Sequence, residues 1–192
     1  MLALVRPLDE LYLARSISSP DNVDLRGLLA ATPPRTRLRP PDTFTFTAEL
    51  VHVGWLLVVV GDSRGQRRLH ASFLTPALDD LLEALVTLTT GGRHVRVSWD
   101  AEPTEFRWLI SVDTQAHVRL LVLPDRSANS PDDLGNLVLS ADLPLRSLVR
   151  TVAVAAQALL TRLGEAGYAR QWDAGPFPAD RLRTLQRWLG QE

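Results

Sequence analysis

From Phe44 onward the apolar residues recur with a period of two, then of three to four, then of two again, and this succession restricts the fold more than any motif does. Phe44, Phe46, Ala48 and Leu50 alternate with Thr45, Thr47, Glu49 and Val51, which predicts a strand with one polar face. Trp55 to Val60 is apolar throughout and rich in β-branched residues, the pattern of a central strand covered on both faces. Leu69, Ala71 and Phe73 then alternate with Arg68, His70 and Ser72, and the three runs together predict a meander. Helical spacing follows. Leu78, Leu81, Leu82, Leu85 and Leu88 share one face, Thr75-Pro76 opens the segment, Asp79 and Asp80 fall in its first turn, and Gly91-Gly92 stops it.

A second β block is predicted from Val95, Val97 and Trp99, from Phe106, Trp108, Ile110 and Val112, from His117 to Leu123, and from Asn136 to Ala141. The stretch "PDRSANSPDDLG" within it is a loop on composition. Leu145, Leu148, Val152, Ala156, Leu159 and Leu163 then trace a helix that Gly164 or Gly167 ends, and Pro178 starts a last helix with Leu182, Leu185, Trp188 and Leu189 along one edge. Three strands, a helix, four strands and two helices indicate an α+β fold, with a largely antiparallel sheet of about seven strands and the helices packed on one face. Residues 1–42 are different. Pro7, Pro20, Pro33, Pro34, Pro40 and Pro41 interrupt two short helix-like pieces, the clearer being "SPDNVDLRGLLAA" with Ser19 as cap, and "TPPRTRLRPP" reads as an extended connector. The expected organisation is an irregular proline-rich segment over 1–42 and one α+β domain over 43–192.

Composition excludes several chemistries. The chain of 192 residues has no cysteine, which removes disulfides, thiolate metal sites and cysteine nucleophiles. Every basic residue is an arginine, so there is no primary side-chain amine for Schiff-base catalysis, for anchoring pyridoxal phosphate or for a Walker motif. A net charge of −1 gives no electrostatic footprint for nucleic acid or an anionic membrane. The opening apolar stretch is interrupted by Arg6-Pro7, and no run approaches the roughly 20 apolar residues of a membrane helix. A soluble, cytoplasmic protein without a cofactor is expected.

Gly61-Asp62-Ser63-Arg64-Gly65 is a literal G-x-S-x-G behind an apolar strand. A nucleophile elbow needs a helix after the serine. Gln66 to Phe73 instead alternates with period two, so the motif reads as a hairpin turn in which Asp and Ser bond their own backbone and Gly accepts positive φ. His52, His70, His94 and His117 fall on or beside four different predicted strands without metal-ligand spacing, and Asp125, Asp132 and Asp133 lack the pattern of a calcium loop. They read as solvated or hydrogen-bonded histidines and as loop acids.

The most unusual segment is "VSWDAEPTEFRWLI", where Trp99 and Trp108 flank a short connection and Asp100, Glu102, Glu105 and Arg107 gather near a hairpin end. Glu102 and Glu105 are residue types that a glycosidase pair would use, whereas paired tryptophans at alternating positions are ordinary core. Tryptophan and arginine also dominate binding hot spots, which makes Trp99, Asp100, Glu102, Glu105, Arg107 and Trp108 the candidate partner-binding surface. In "GYARQWDAGPFP", Tyr168, Trp172 and Phe177 form an aromatic linker that either packs the last helix or roofs a small-ligand cleft.

The combination of "LVHVGWLLVVVGD", "LHASFLTPALDDLLEAL", "VSWDAEPTEFRWLI" and "EAGYARQW" resembles a group of small bacterial α+β proteins of actinobacterial or Deinococcus-like type. In size and architecture that group is similar to immunity proteins of toxin systems, and the likeness implies a protein partner. The expected function is therefore a non-catalytic protein-binding domain, immunity-like or chaperone-like. The alternative is a small-ligand-binding protein or enzyme with His70, Glu102 or Glu105 as acid/base groups. Self-association through exposed sheet edges or the last helix, as a symmetric dimer, is a third reading.

Overall fold

Two tight turns shape the first sheet. In the computed structural model, which describes residues 44–124 and 130–191, β1 (Thr45–His52), β2 (Trp55–Asp62) and β3 (Gly65–Ser72) form an antiparallel meander joined at Val53-Gly54 and Ser63-Arg64. The expectations for residues 1–42 and for Asp125 lie outside the described residues. Gly54 has φ +78, and a Cβ there would stand 2.7 Å from the Phe73 ring, so conformation and space both demand glycine. One face of the sheet buries Phe46, Leu50, Leu56, Val58, Val60, Leu69 and Ala71. On the other face Trp55, Leu57 and Val59 are only half-buried between exposed Thr47, Glu49, Arg68 and His70. The unbroken apolar run of β2 thus marks the central strand, but not one covered on both faces.

After β3 the chain enters α1 (Ala77–Thr89), which begins at Pro76 with both expected aspartates in its first turn. The next strands, β4 (His94–Asp100), β5 (Glu105–Val112), β6 (Ala116–Leu123) and β7 (Asn136–Leu143), make a second antiparallel sheet in sequence order. The seven strands therefore divide into sheets of three and four, with β3 and β4 touching but not sharing a ladder. Then follow α2 (Leu145–Gln171) and α3 (Ala179–Leu189). Gly164, one of the two expected helix ends, is non-helical at φ 64 and ψ 169 and separates α2 into two helical stretches. α2 packs on β1, α1 on β4, and α3 on both other helices.

The inner faces of the two sheets meet through aromatic rings. Phe46 of β1 lies 6.1 Å from Trp108 of β5, and Trp108 lies 5.1 Å from Trp99 of β4 in an edge-to-face arrangement. Among the described residues no helix is long and apolar enough to cross a membrane.

Candidate functional site

Ser63 sits in the turn between β2 and β3, where Asp62 pairs with Gly65 and the strand resumes at once. No helix follows it, so the elbow geometry is not there. The Asp62 carboxylate accepts from the Arg64 backbone N–H at 2.8 Å and from Arg64 Nη2 at 2.6 Å. Burial disfavours the Asp62 charge, yet the bonds from Arg64 outweigh it and hold the carboxyl below its ordinary range. Arg64 Nη2 also donates to the Ser140 carbonyl at 3.0 Å, which fastens the turn of the first sheet to β7 of the second. The conspicuous motif is a clasp between sheets.

The six residues of the tryptophan-flanked hairpin do not form one surface. Trp99 and Trp108 point inward and are 0% and 1% exposed. Glu105 and Arg107 lie on the opposite face of the same sheet, as strand alternation requires, and they too are buried. Arg107 donates through Nε to Glu105 Oε1 at 2.9 Å, and through Nη1 to the Ser130 carbonyl at 2.8 Å and Asp132 Oδ1 at 2.7 Å. Asp132, expected to be a loop acid, thus fixes its loop to the sheet. Only Asp100, half-buried, and Glu102, exposed, remain at the surface. Glu102 and Glu105 are not a matched pair, because one faces solvent and the other is held by arginine.

The described residues contain no cluster of three or more side chains that could hold a metal ion. His70, though exposed, is held below an ordinary histidine by partial desolvation against its strand neighbours, then by Arg68 and His52. His117 is different. Its Nδ1 lies 2.8 Å from Asp142 and its Nε2 3.0 Å from Asp113, and these hydrogen bonds raise its pKa in that order of weight. A raised folded-state pKa stabilises below the unfolded value and ceases to do so as pH climbs through the folded one. An NMR titration is expected to find the His117 imidazole protonating above an ordinary histidine, and Asp142→Asn is expected to bring it back towards the ordinary value.

Two features lie at one end of the domain, the first unforeseen and the second foreseen only as the alternative to plain packing of the aromatic linker. The first is an apolar cluster: Val53, Phe73 and Leu74 are 68%, 41% and 49% exposed. The hairpin register brings them together, since Trp55 pairs with Ser72, Phe73 N donates to the Gly54 carbonyl at 2.9 Å, and the Phe73 ring covers Gly54. Gly54 N in turn donates to the Gln171 carbonyl at the end of α2 at 2.7 Å. Phe73 was expected to continue the buried alternation, but the strand stops at Ser72 and its ring turns outward. Asp100 borders this cluster, its N–H donating to Thr75 Oγ1 at 3.1 Å, and Glu102 N–H donates to Asp100 Oδ1 at 3.0 Å.

The second feature is a cleft of about 310 Å³ under the linker between α2 and α3, lined by Pro76 and Asp79 of α1, Glu165, Tyr168 and Trp172, and the start of α3. The aromatic linker both packs and roofs. Tyr168, Trp172 and Phe177 are buried, with Tyr168 and Phe177 edge to face at 5.2 Å, and their outer boundary forms the cleft. Pro76, two residues beyond Leu74, joins the two features. Comparison of the chain with family models, with curated proteins and with solved structures finds no match, so its role is read from these residues alone.

Proposed function

We propose that this domain is a non-catalytic protein-binding module, immunity-like or chaperone-like in role, whose contact face centres on Val53, Phe73 and Leu74. The observation that carries the reading is that three large apolar side chains stand 41–68% exposed on turns whose backbone is bonded from Phe73 to Gly54 and from Gly54 to the end of α2. A contiguous apolar patch held on rigid turns loses little entropy on docking, and burying such residues supplies most of the energy in protein interfaces. Asp100 and Glu102 give the patch an acidic border, which suits a partner with an apolar centre and a basic rim.

The test uses Val53→Asp and Leu74→Asp, both at exposed turn positions where the fold loses little packing. Each should weaken capture of the stoichiometric partner from the native cell by about thirtyfold, the equivalent of about 2 kcal/mol for a hot-spot residue, with an unchanged thermal melt. Undiminished capture by both variants would remove this face from the interface.

A further inference from the structure

The cleft beside the apolar face has a charge left over. Gly164 redirects α2 so that the stretch after it carries Glu165 and Tyr168 into the wall shared with the first turns of α1 and α3. Five charged side chains line the space, and four pair off: Asp79 with Arg181 at 3.1 Å, and Asp180 with Arg183. Arg181 also reaches Glu83 at 2.6 Å. Glu165 has no ion pair or hydrogen bond among the described residues. Beside it, Tyr168 is 1% exposed, its hydroxyl has no hydrogen-bond partner among the described residues, and that hydroxyl is the part of the residue that still touches the cleft. A tyrosine packed this way normally finds a partner for its polar tip, and the cleft is the side left open for one. Burial, then the Asp79 charge, pushes the Tyr168 pKa upward, so the group stays a neutral hydroxyl able to accept one bond and donate another.

An anion is the weaker candidate for this space. The N-termini of α1 and α3 do face it, but Asp79 and Asp180 already occupy their first turns and answer the helix dipoles. Glu165 is exposed and hydrated in the free protein, but the space carries three acidic side chains against two arginines, which favours a cation over an anion. Guanidinium fits better than ammonium. Its planar fork can donate two N–H groups to one carboxylate and a third to a neighbouring hydroxyl, and it sheds water more readily.

Resting on the protein-binding reading above, we propose that the partner lays an apolar residue on Val53, Phe73 and Leu74 and seats an arginine side chain in this cleft, against the Glu165 carboxylate and the Tyr168 hydroxyl. Leu74 and Pro76 are two residues apart, so a single partner segment can reach both features.

The probe is N-acetyl-arginine-N-methylamide, titrated into the full chain and followed by backbone and indole NMR shifts, with the capped citrulline analogue as an uncharged control. The arginine probe should saturate with a Kd of about 1 mM, and citrulline should bind at least about tenfold more weakly, as should the arginine probe to Glu165→Gln. Tyr168→Phe should weaken the probe about threefold while leaving the thermal melt unchanged, because the hydroxyl it removes bonds nothing in the free protein. Equal binding of citrulline and arginine, an unaffected Glu165→Gln variant, or tighter binding of free spermidine than of the capped arginine would overturn the proposal. Val53→Asp should bind the probe like the parent. A saturating probe without a partner sensitive to Val53→Asp and Leu74→Asp would fault the protein-binding reading, whereas such a partner without a saturating probe would fault the arginine cleft alone.

Discussion

Arg107→Met is expected to lower the unfolding free energy by about 3–5 kcal/mol, the loss typical of removing one member of a buried ion pair. The side chain is fully buried, with Glu105 Oε1 bonded by Nε and, at 2.8 Å, by Nη2. Taking the cation away leaves a buried carboxylate alone, and its second oxygen, Oε2, already has no hydrogen-bond partner among the described residues. It also releases Ser130 and Asp132, and with them the turn whose Gly135 packs on Leu121. The Glu105→Leu/Arg107→Met double variant removes both charges and should recover at least about 2 kcal/mol of the loss, since apolar residues of similar volume replace buried pairs at little cost. Urea denaturation at neutral pH measures both. The acid limb adds a second check through Asp132. Burial opposes its charge, but hydrogen bonds from Arg107 and Arg96 prevail and keep its carboxyl below the ordinary range. A depressed pKa stabilises above the unfolded value and is lost as pH falls through the folded one. The gap between parent and Arg107→Met should therefore narrow as pH drops through the carboxylate range. A single variant as stable as the parent would show that the network does not hold the loop.

Parity explains both what was legible in the sequence and what was overlooked. Alternation placed Phe46, Leu50, Leu69 and Ala71 on an inner face and identified the Ser63 segment as a turn, because one strand's pleat depends only on neighbouring residues. The same rule separates Trp99 from Asp100 and Arg107 from Trp108, so the tryptophans and the charged residues had to face opposite ways. Grouping them by nearness along the chain concealed this. The division into two sheets was not legible, since strand order across α1 depends on how the edges of β3 and β4 meet, which local periodicity does not encode. The apolar face was hidden for a related reason. Val53 and Phe73 are twenty positions apart, and only the pairing of Trp55 with Ser72 brings them together at a place where alternation has already ended. A partial signal was available: two strands joined at Val53-Gly54 imply that the residues following the third strand lie beside that turn. For the cleft, sequence located the aromatic linker and the helix end at Gly164, but not that helix resumes at once and places Glu165 and Tyr168 in the cleft wall.

Trp108→Ala should cost about 3–5 kcal/mol, because a fully buried indole leaves a cavity that its neighbours cannot close. Those neighbours belong to different sheets: Phe46 on β1 and Trp99 on β4. Trp108→Phe should cost clearly less. The Trp108 Nε1–H has no hydrogen-bond partner among the described residues, so phenylalanine loses volume without losing a bond. A double-mutant cycle with Phe46→Leu should show a coupling of about 0.5–1.5 kcal/mol, the range for aromatic pairs in contact. The cycle also bears on function. Val53 and Phe73 belong to the first sheet and its end, whereas Asp100 and Glu102 belong to the second, so the apolar centre and its acidic border keep a fixed spacing only while the two sheets are joined. If Trp108→Ala cost no more than an exposed substitution and the cycle showed no coupling, the aromatic bridge would not be what joins them. The Arg64 bond to the Ser140 carbonyl and the Asp100 bond to Thr75 would then be what holds the two parts of that face at a set spacing.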